Sequence, residues 1–295
     1  MTLKRTISLI LSMVLLLSLT SCSDIDSETV VVTEDVVIDE APVKSAYPVS
    51  FGTETFEEAP ETVASLSPAL TEILLELGVS DKLVAVSDYC ENYLELPTVG
   101  SPANPDIDAI IELAPELLIT QSPIASTDQV RLDQAGVRVL YLELPTSFSY
   151  LCEEYIELAM IFYGSIDSES VALEALSEID NTMLSAQDLG LNVSFAVIYY
   201  ELDDGFVASS GADIASDMLS VFGTNGLEGE ESELLTVTLD ELEELELDVI
   251  FADEALEDSD LEELDAEIIY LDLGEFSSPT AQLAEVISEC ISELS

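Results

Sequence analysis

Apolar residues along this chain change their spacing in a regular way, and the change predicts alternating strands and helices. After a short apolar run, "SPALTEILLELG" places apolar residues at helical spacing behind Ser67 and Pro68, and Gly78 follows the last of them. A serine cap, a proline in the first helical position and a glycine beyond the end are start and stop signals of a helix. The short run before this helix and "KLVAVS" (82–87) after it are predicted strands.

Later apolar runs do not alternate with polar residues, which is typical of strands in a parallel sheet that is covered on both faces. Helical segments separate these runs, so the order of the elements predicts an α/β fold. The later predicted strands are 116–120, 137–144, 193–200 and 266–273, and further helices are predicted around Val130 and Leu132, from Gly211 to Phe222 and from Pro279 onward.

The middle of the chain, residues 147–190, has a helical pattern without a predicted strand. It reads as one helix of about four turns followed by a longer one. The chain therefore divides into a lobe, a helical spine and a second lobe. The predicted segments are a signal peptide at 1–21, an acidic tether at 22–46, an N-terminal α/β lobe at 47–146, the spine at 147–191 and a C-terminal α/β lobe at 192–295.

One helix–strand pattern occurs twice, as "IDAIIELAPELLI" at 107–119 and "LDELEELELDVIF" at 239–251. The matching residues Asp108 and Asp240 lie 132 positions apart. That offset is too long for a solenoid repeat, whose period is about 20–50 residues, and it is close to the size of a lobe. We therefore predict that the same unit is present once in each lobe.

The N-terminus has the features of a secreted protein. Lys4 and Arg5 precede a short apolar core that ends in small residues, which predicts a signal peptide and an extracytoplasmic location. The ending Leu19-Thr20-Ser21-Cys22 resembles the bacterial lipobox, in which the signal is cut before the Cys and the sulfur receives a diacylglycerol. We expect Cys22 to carry a lipid that is the protein's attachment to the cell membrane.

Charge excludes several classes of function. The chain has 6 Lys and Arg against 62 Asp and Glu, a formal net charge of −56. Such a surface repels phosphate backbones and anionic headgroups, so we expect no nucleic-acid binding and no membrane contact besides the lipid. The absence of His from the sequence argues against a transition-metal site and rules out a Ser–His or Cys–His catalytic pair. We expect no enzyme activity, no cofactor and no metal.

Three cysteines remain beyond Cys22. Cys290 lies in an apolar helical pattern and is predicted to be buried. A bridge between Cys90 and Cys152 is compatible with an extracytoplasmic location, but the sequence does not establish it.

Residues 47–295 resemble the helical-backbone substrate-binding proteins of ABC importers, which take up cobalamin, ferric siderophores and haem. The resemblance rests on "PETVASLSPALTEILLELGVSDKLVAVSDYC" and "VGSPANPDIDAIIELAPELLITQSP". It implies a class III periplasmic binding protein, a monomer with two Rossmann-like lobes joined by a long helix and a ligand held between them.

Ligands of open α/β sheets bind beyond the carboxyl ends of the strands, and this rule selects candidate ligand-binding residues in both lobes. Aromatic and small polar side chains at these positions suit a large, flat, partly apolar ligand. Tyr89 is the strongest single candidate. The full set is Ser67, Pro68, Tyr89, Ser101, Pro102, Gln121, Ser122, Tyr200, Phe206, Ser210 and Phe276.

The scarcity of basic residues favours a corrinoid over an anionic chelate. After removal of the signal peptide the bases are Lys44, Lys82, Arg131 and Arg138, and none is expected in the cleft. Ferric siderophores and haem carry carboxylates or other anionic groups that normally need such partners. Alternatives are a siderophore or haem receptor of the same family, another metal chelate as ligand, and a surface lipoprotein without a transport role.

The resemblance also implies a pair of docking acids for an ABC permease with basic docking residues. In the family, each lobe presents an acid in the first turn of the repeated helix. The corresponding residues here are Asp108 and Asp240, and Glu241 beside Asp240 is an alternative contact.

Overall fold

The computed structural model describes residues 46–90, 95–227 and 234–295. The predicted signal peptide, Cys22 and the tether up to residue 45 lie outside these ranges. No helix in the described ranges is long and apolar enough to cross a membrane.

The N-terminal lobe is built on a four-stranded parallel sheet with the order β4-β3-β7-β8. Two short antiparallel hairpins, β1–β2 and β5–β6, accompany it. The strands are β1 (Val49–Phe51), β2 (Glu54–Phe56), β3 (Val63–Ser65), β4 (Leu83–Ala85), β5 (Gly100–Ser101), β6 (Asn104–Pro105), β7 (Leu117–Thr120) and β8 (Arg138–Tyr141). The helices of this lobe are α1 (Pro68–Glu76), α2 (Ile107–Leu113) and α3 (Ser126–Ala135), with a 3₁₀ turn at Ser80–Lys82.

Helix α1 starts and stops where its sequence signals are. The Ser67 hydroxyl accepts a hydrogen bond from the Leu70 N–H, and Pro68 takes the first helical position. Gly78 follows the cap with φ of +75°, a conformation that glycine adopts without a steric penalty. The predicted strand–helix–strand unit is therefore present, and it places Ser67 at the carboxyl end of β3.

The spine consists of α4 (Phe148–Ala175) and α5 (Ser177–Asp188). Helix α4 is broken at Gly164, whose φ of 73° and ψ of 177° are not helical. The Ala46 carbonyl accepts a hydrogen bond from the Ser165 N–H at the break (2.8 Å), and a Cβ on Gly164 would lie 2.6 Å from that carbonyl oxygen. The predicted first helix of about four turns corresponds to the part of α4 before this break.

The C-terminal lobe has a six-stranded sheet with the order β12-β10-β9-β13-β14, and β11 pairs with the first residues of β9. Its strands are β9 (Val193–Leu202), β10 (Gly205–Ser209), β11 (Gly223–Asn225), β12 (Leu234–Val237), β13 (Val249–Asp253) and β14 (Glu267–Leu271). Its helices are α6 (Ile214–Leu219), α7 (Leu239–Glu244) and α8 (Leu283–Glu293), with 3₁₀ turns at Glu254–Leu256, Asp260–Glu263 and Leu273–Ser277.

The all-parallel sheet predicted for this lobe needs a correction. Strands β10 and β12 are antiparallel to their neighbours, while β11, β13 and β14 are parallel. The cause is a tight turn at Asp203 and Asp204 before Gly205, an Asp-Gly signal typical of a β-hairpin. The helix predicted from Gly211 to Phe222 is shorter in the structure. It is α6, which begins at Ile214, ends at Leu219 and is capped by Asp213.

Each sheet buries both of its faces, as the unbroken apolar runs predict. Neighbouring residues on a strand point to opposite sides, so Val63 joins a central core that includes Tyr155 of the spine, whereas Ala64 joins a separate outer core. In the C-terminal lobe Phe195 likewise joins the central core, and Ala196 joins a second outer core. The central core contains residues of both lobes and of the spine, so the spine helix is the shared wall of the two α/β layers.

The duplicated pattern folds into the same unit in both lobes. Helix α2 leads into β7, and helix α7 leads into β13. The matched residues Ala114 and Glu246, again 132 positions apart, end the two helices with positive φ values of 48° and 47°. A non-glycine residue in this conformation is uncommon, so its presence at equivalent positions indicates that the two helix ends are the same structure.

Candidate functional site

Two of the predicted ligand-binding residues meet at the carboxyl edge of the N-terminal sheet. Ser67 follows β3 and Gln121 follows β7, which is the adjacent strand. The Ser67 hydroxyl donates a hydrogen bond to the Gln121 side-chain oxygen. Ser67 is almost fully buried, whereas Gln121 is half-buried and reaches towards the spine.

A spine residue that the sequence did not single out completes this chain of hydrogen bonds. The Gln121 amide donates to Glu154 Oε1 on α4 at 3.3 Å. Glu154 is 5% exposed, and burial, assisted by the charge of Glu157, raises the pKa of its carboxyl to about 8. The only sequence signal was an acid between Leu151 and Leu158 on the apolar face of the helix, where a charged residue is unusual.

The loop after β4 lies beside the small β5–β6 hairpin. The Asp88 N–H donates to the Gly100 carbonyl at 2.9 Å, so Tyr89 and the hairpin residues Ser101 and Pro102 belong to one stretch of surface. Tyr89 is 67% exposed, and its ring is therefore available to a ligand. Ser101 and Pro102 are half-buried.

The remaining N-terminal candidates have local structural roles. Pro68 is half-buried at the first position of α1. The Ser122 N–H donates to the Thr120 hydroxyl at 3.0 Å, which turns the chain at the end of β7. Both residues lie at the same carboxyl edge of the sheet as Ser67 and Gln121.

The C-terminal candidates divide by exposure. Tyr200 on β9 is 50% exposed and pairs with Val207 of β10. Phe206, Ser210 and Phe276 are each no more than 5% exposed. Phe206 packs in the outer core of its lobe. The expectation that all four line the cleft stays a prediction. Phe206 pairs with Glu201 near the carboxyl end of β9, and its side chain is turned into the core.

The cysteines of the described ranges are free thiols. The Cys90 sulfur lies 3.3 Å from the Thr71 hydroxyl, and neither Cys90 nor Cys152 is in a disulfide. The bridge that the sequence left open is therefore not formed. Cys290 is fully buried as predicted, and burial raises the pKa of its thiol to about 12.

Every Lys and Arg in the described ranges has a partner within the chain. Lys82 lies 3.6 Å from Glu61, and the Arg138 guanidinium lies 4.4 Å from the centre of the Phe56 ring. Arg131 forms ion pairs with Asp108 and with Asp128. Within the described ranges, each basic side chain that could bind a polyanionic ligand therefore already has a partner.

The predicted docking acids are exposed and lie in the first turns of α2 and α7. Asp108 already contacts Arg131. Glu241 belongs to a capping box: its carboxylate accepts hydrogen bonds from the N–H and the hydroxyl of Thr238, at 2.8 and 2.9 Å. These bonds lower the pKa of the Glu241 carboxyl. The acid of α7 that projects beyond the cap is therefore Asp240.

The residues that the structure describes contain no group of three or more His, Cys, Asp or Glu arranged to hold a metal ion. The chemistry of the edge formed by Ser67, Tyr89 and Gln121 is that of hydroxyl, amide and aromatic groups.

A family model described as periplasmic binding protein matches residues 63–269. A cobalamin-binding protein of Halobacterium salinarum is 26% identical over 182 residues, which cover 58% of this chain and 47% of that protein. The chain thus spans about half the length of this relative. An uncharacterized ABC transporter substrate-binding lipoprotein of Bacillus subtilis is 23% identical over 218 residues, covering 72% of this chain and 69% of that protein.

Among solved structures, the periplasmic heme binding protein HutB of Vibrio cholerae superposes with a TM-score of 0.67 at 17% sequence identity. The superposition covers 79% of this chain and 98% of that structure. At this identity the likeness concerns the fold, and it matches the arrangement of two lobes around a helical spine.

Proposed function

Because the chain belongs to the periplasmic binding protein family, as the match over residues 63–269 shows, we propose that it is the solute-binding component of an ABC importer with a corrinoid as its ligand. The ligand lies between the two lobes, against the carboxyl edge of the N-terminal sheet. The similarity to the ABC transporter lipoprotein of Bacillus subtilis supports the role as a solute-binding component. The similarity to the cobalamin-binding protein of Halobacterium salinarum supports a corrinoid as the ligand.

The observation that carries the choice of ligand is the engagement of the basic residues. Lys82, Arg131 and Arg138 each have an acidic or aromatic partner, and none of them follows a strand at the carboxyl edge. A siderophore with several anionic groups, or haem with two propionates, would bring negative charge to a strongly acidic protein in which each Lys and Arg of the described ranges already has a partner. A corrinoid, with many neutral amides and a single phosphate offset by its metal, avoids that cost.

The proposed contacts divide by chemical type. Tyr89 and Tyr200 offer exposed aromatic faces from the two lobes, and Ser67 and Gln121 offer hydroxyl and amide groups that suit neutral amide side chains. Ser101, Pro102, Pro68 and Ser122 complete the N-terminal wall. Phe206, Ser210 and Phe276 are buried in the C-terminal lobe and stay outside the proposed contact set.

The proposal includes attachment and delivery. Cys22 carries the lipid that holds the protein at the outer face of the cell membrane, and the chain acts there as a monomer. Asp108 and Asp240 contact basic residues of the permease. Asp240 is preferred over Glu241 because the Glu241 carboxylate is occupied by the cap of α7.

The experiment that tests the proposal is calorimetric titration of the purified chain, lacking its signal peptide, with cyanocobalamin, cobinamide, haem and a ferric catecholate. We expect one-to-one binding of the corrinoids and at least about tenfold weaker binding of the anionic chelates. Tighter binding of haem or of the catecholate would overturn the choice of ligand. Absence of binding to all four would favour a surface lipoprotein without a transport role.

A further inference from the structure

A pocket that contains none of the predicted ligand-binding residues lies between the spine and the chain that leaves β8. Its volume is about 450 Å³, within the range of small-molecule sites. One wall is the segment 141–146, the opposite wall is the α4 face that carries Tyr150 and Glu154, and Phe51 of β1 closes one side. The pocket is thus separate from the proposed corrinoid site, although Gln121 links Glu154 to that site.

The lining combines carboxylates with aromatic and aliphatic surface. Tyr141 and Tyr150 are 45% and 58% exposed, and Leu144 is 52% exposed, so large apolar groups face solvent here. No Lys or Arg occurs among the described residues that line the pocket. The four carboxylates of the lining belong to Glu143, Glu153, Glu154 and Glu157.

One of these carboxylates lacks a partner although it is buried. Glu154 is 5% exposed, and no described residue donates a hydrogen bond to its Oε2 atom, while Oε1 accepts from Gln121. Buried polar atoms are nearly always paired, so an unpaired carboxylate oxygen on a residue that lines a pocket points to a donor from outside the chain, which reaches the oxygen when the side chain turns towards the pocket.

We propose that this pocket binds a small organic cation, namely a primary ammonium group carried on a flat apolar body. The ammonium has three donors and satisfies Glu154 Oε2, and the rim carboxylates compensate its charge. The flat body lies against Tyr141 and Tyr150, whose ring faces attract cations and pack against planar groups. The proposal is independent of the corrinoid, since no residue of the proposed corrinoid contact set lines the pocket.

The ionisation of Glu154 makes the binding dependent on pH. Burial raises the pKa of its carboxyl to about 8, so near neutrality it is largely protonated and accepts an ammonium donor poorly. An alkylammonium group remains charged well above this pH, as lysine does. Affinity therefore rises as the pH passes through about 8. The titratable and polar groups around Glu154 are Glu153 and Glu157 on its own helix, Tyr150 on the same helix, Tyr141 and Glu143 on the opposite wall, and Gln121 at the sheet edge.

Tryptamine is a suitable probe because the chain contains no Trp, so indole fluorescence reports on the probe alone. We would measure its fluorescence anisotropy with the purified chain at pH 7.0 and pH 8.5, in about 0.3 M salt to suppress unspecific attraction to the acidic surface. The expected result is saturable one-to-one binding that is tighter at the higher pH. Tryptophol, which has a hydroxyl in place of the ammonium, should bind at least about tenfold more weakly.

Two matched variants localise the site. Glu154→Gln keeps the size of the side chain and should weaken tryptamine binding about tenfold and abolish the change between the two pH values. Glu263→Gln removes one exposed carboxylate of the C-terminal lobe and should leave binding within about twofold. Thermal unfolding of both variants shows that they are folded. No saturable binding up to about 1 mM, equal binding of tryptophol, or equal effects of the two substitutions would each overturn the proposal.

Discussion

The Tyr155 hydroxyl on the spine donates a hydrogen bond to the Glu76 carboxylate at the end of α1. The same hydroxyl accepts one from the Ala281 N–H of the C-terminal lobe at 2.7 Å. One buried phenol therefore joins both lobes and the spine. Burial and the neighbouring Glu76 charge raise the pKa of Tyr155, so the group stays protonated and remains a donor.

Replacing this hydroxyl should destabilise the junction. Tyr155→Phe leaves the Glu76 carboxylate and the Ala281 N–H without their shared partner, and we expect the free energy of unfolding to fall by about 1–3 kcal/mol. Urea unfolding followed by circular dichroism measures the change. Tyr150→Phe, which removes the hydroxyl of a 58% exposed residue, is the control and should change stability by less than about 0.5 kcal/mol. Equal effects of the two substitutions would contradict the prediction.

The raised pKa of Glu154 predicts how stability changes with pH. The pKa of the carboxyl is about 8 in the folded chain and about 4.3 in an unfolded one. Between these values the folded state retains a proton that the unfolded state has released, so ionisation lowers the free energy of unfolding as the pH rises, by up to about 1.4 kcal/mol per pH unit.

The amide side chain of the Glu154→Gln variant does not release a proton in this pH range. We therefore expect the difference in stability, variant minus wild type, to grow in favour of the variant from pH 5 to pH 8 and to level off above about 8. Urea unfolding of both proteins at each pH provides the measurement. A difference that does not change with pH would mean that Glu154 titrates at its ordinary value.

Loss of the exposed ring at the cleft should weaken ligand binding without affecting the fold. Tyr89→Ala removes a 67% exposed aromatic side chain, and we expect cyanocobalamin binding to weaken by about 1–3 kcal/mol if the ring stacks on the corrin. Isothermal titration calorimetry measures the affinity. Leu184→Ala, which removes a 52% exposed side chain of α5, is the control and should bind as the wild type does. An unchanged affinity of Tyr89→Ala would show that Tyr89 is an ordinary surface loop residue that does not contact the ligand.

Charge reversal at the two helix tips should block delivery of the ligand. The double variant Asp108→Arg and Asp240→Arg should keep its affinity for cobalamin but lose uptake through the cognate permease, since reversed rim charges mainly harm association. Uptake of labelled cobalamin by cells that express the variant is the measurement. Reversal of Glu169 and Glu289, exposed acids elsewhere, should leave uptake unchanged. Normal uptake by the first variant, at normal surface levels, would show that the duplicated helices do not dock on the permease and that their repetition reflects only the duplicated fold.

The lipid attachment depends on one sulfur. Cys22→Ala should block lipid labelling and release the protein from membranes, because stable anchoring requires the acyl chains. Membrane fractionation followed by immunoblotting distinguishes the two forms. Retention of the variant in the membrane fraction would show that another part of the chain holds the protein there.

Local signals were sufficient for much of the fold. The cap at Ser67 and the stop at Gly78 define α1, and the repeated pattern around Asp108 and Asp240 identifies one unit in each lobe. The antiparallel direction of β10 was not predicted, although Asp204 and Gly205 form a hairpin signal between two apolar runs. Strand direction decides which strand ends share an edge, so the antiparallel β10 brings Ser210, which follows it, to the end of the sheet opposite to the carboxyl end of β9.

Glu154 could not be recognised from its own neighbourhood in the sequence. Its partner Gln121 lies 33 residues earlier, and Ser67 lies 54 residues before Gln121. Whether a glutamate on a helix is solvated or buried depends on what packs over it, and the packing elements here come from the N-terminal lobe. The acidity of the whole chain also concealed it, because one carboxylate among so many has no distinguishing pattern.

The break in α4 has a mechanical consequence. Where the helix opens at Gly164, the Ser165 N–H holds the Ala46 carbonyl, and the Tyr47 hydroxyl donates to the Ile161 carbonyl at 2.9 Å. Ala46 and Tyr47, the first described residues of the chain, are thus held at the middle of the spine. A force applied through Ala46 would therefore act first on the helix that packs against both lobes.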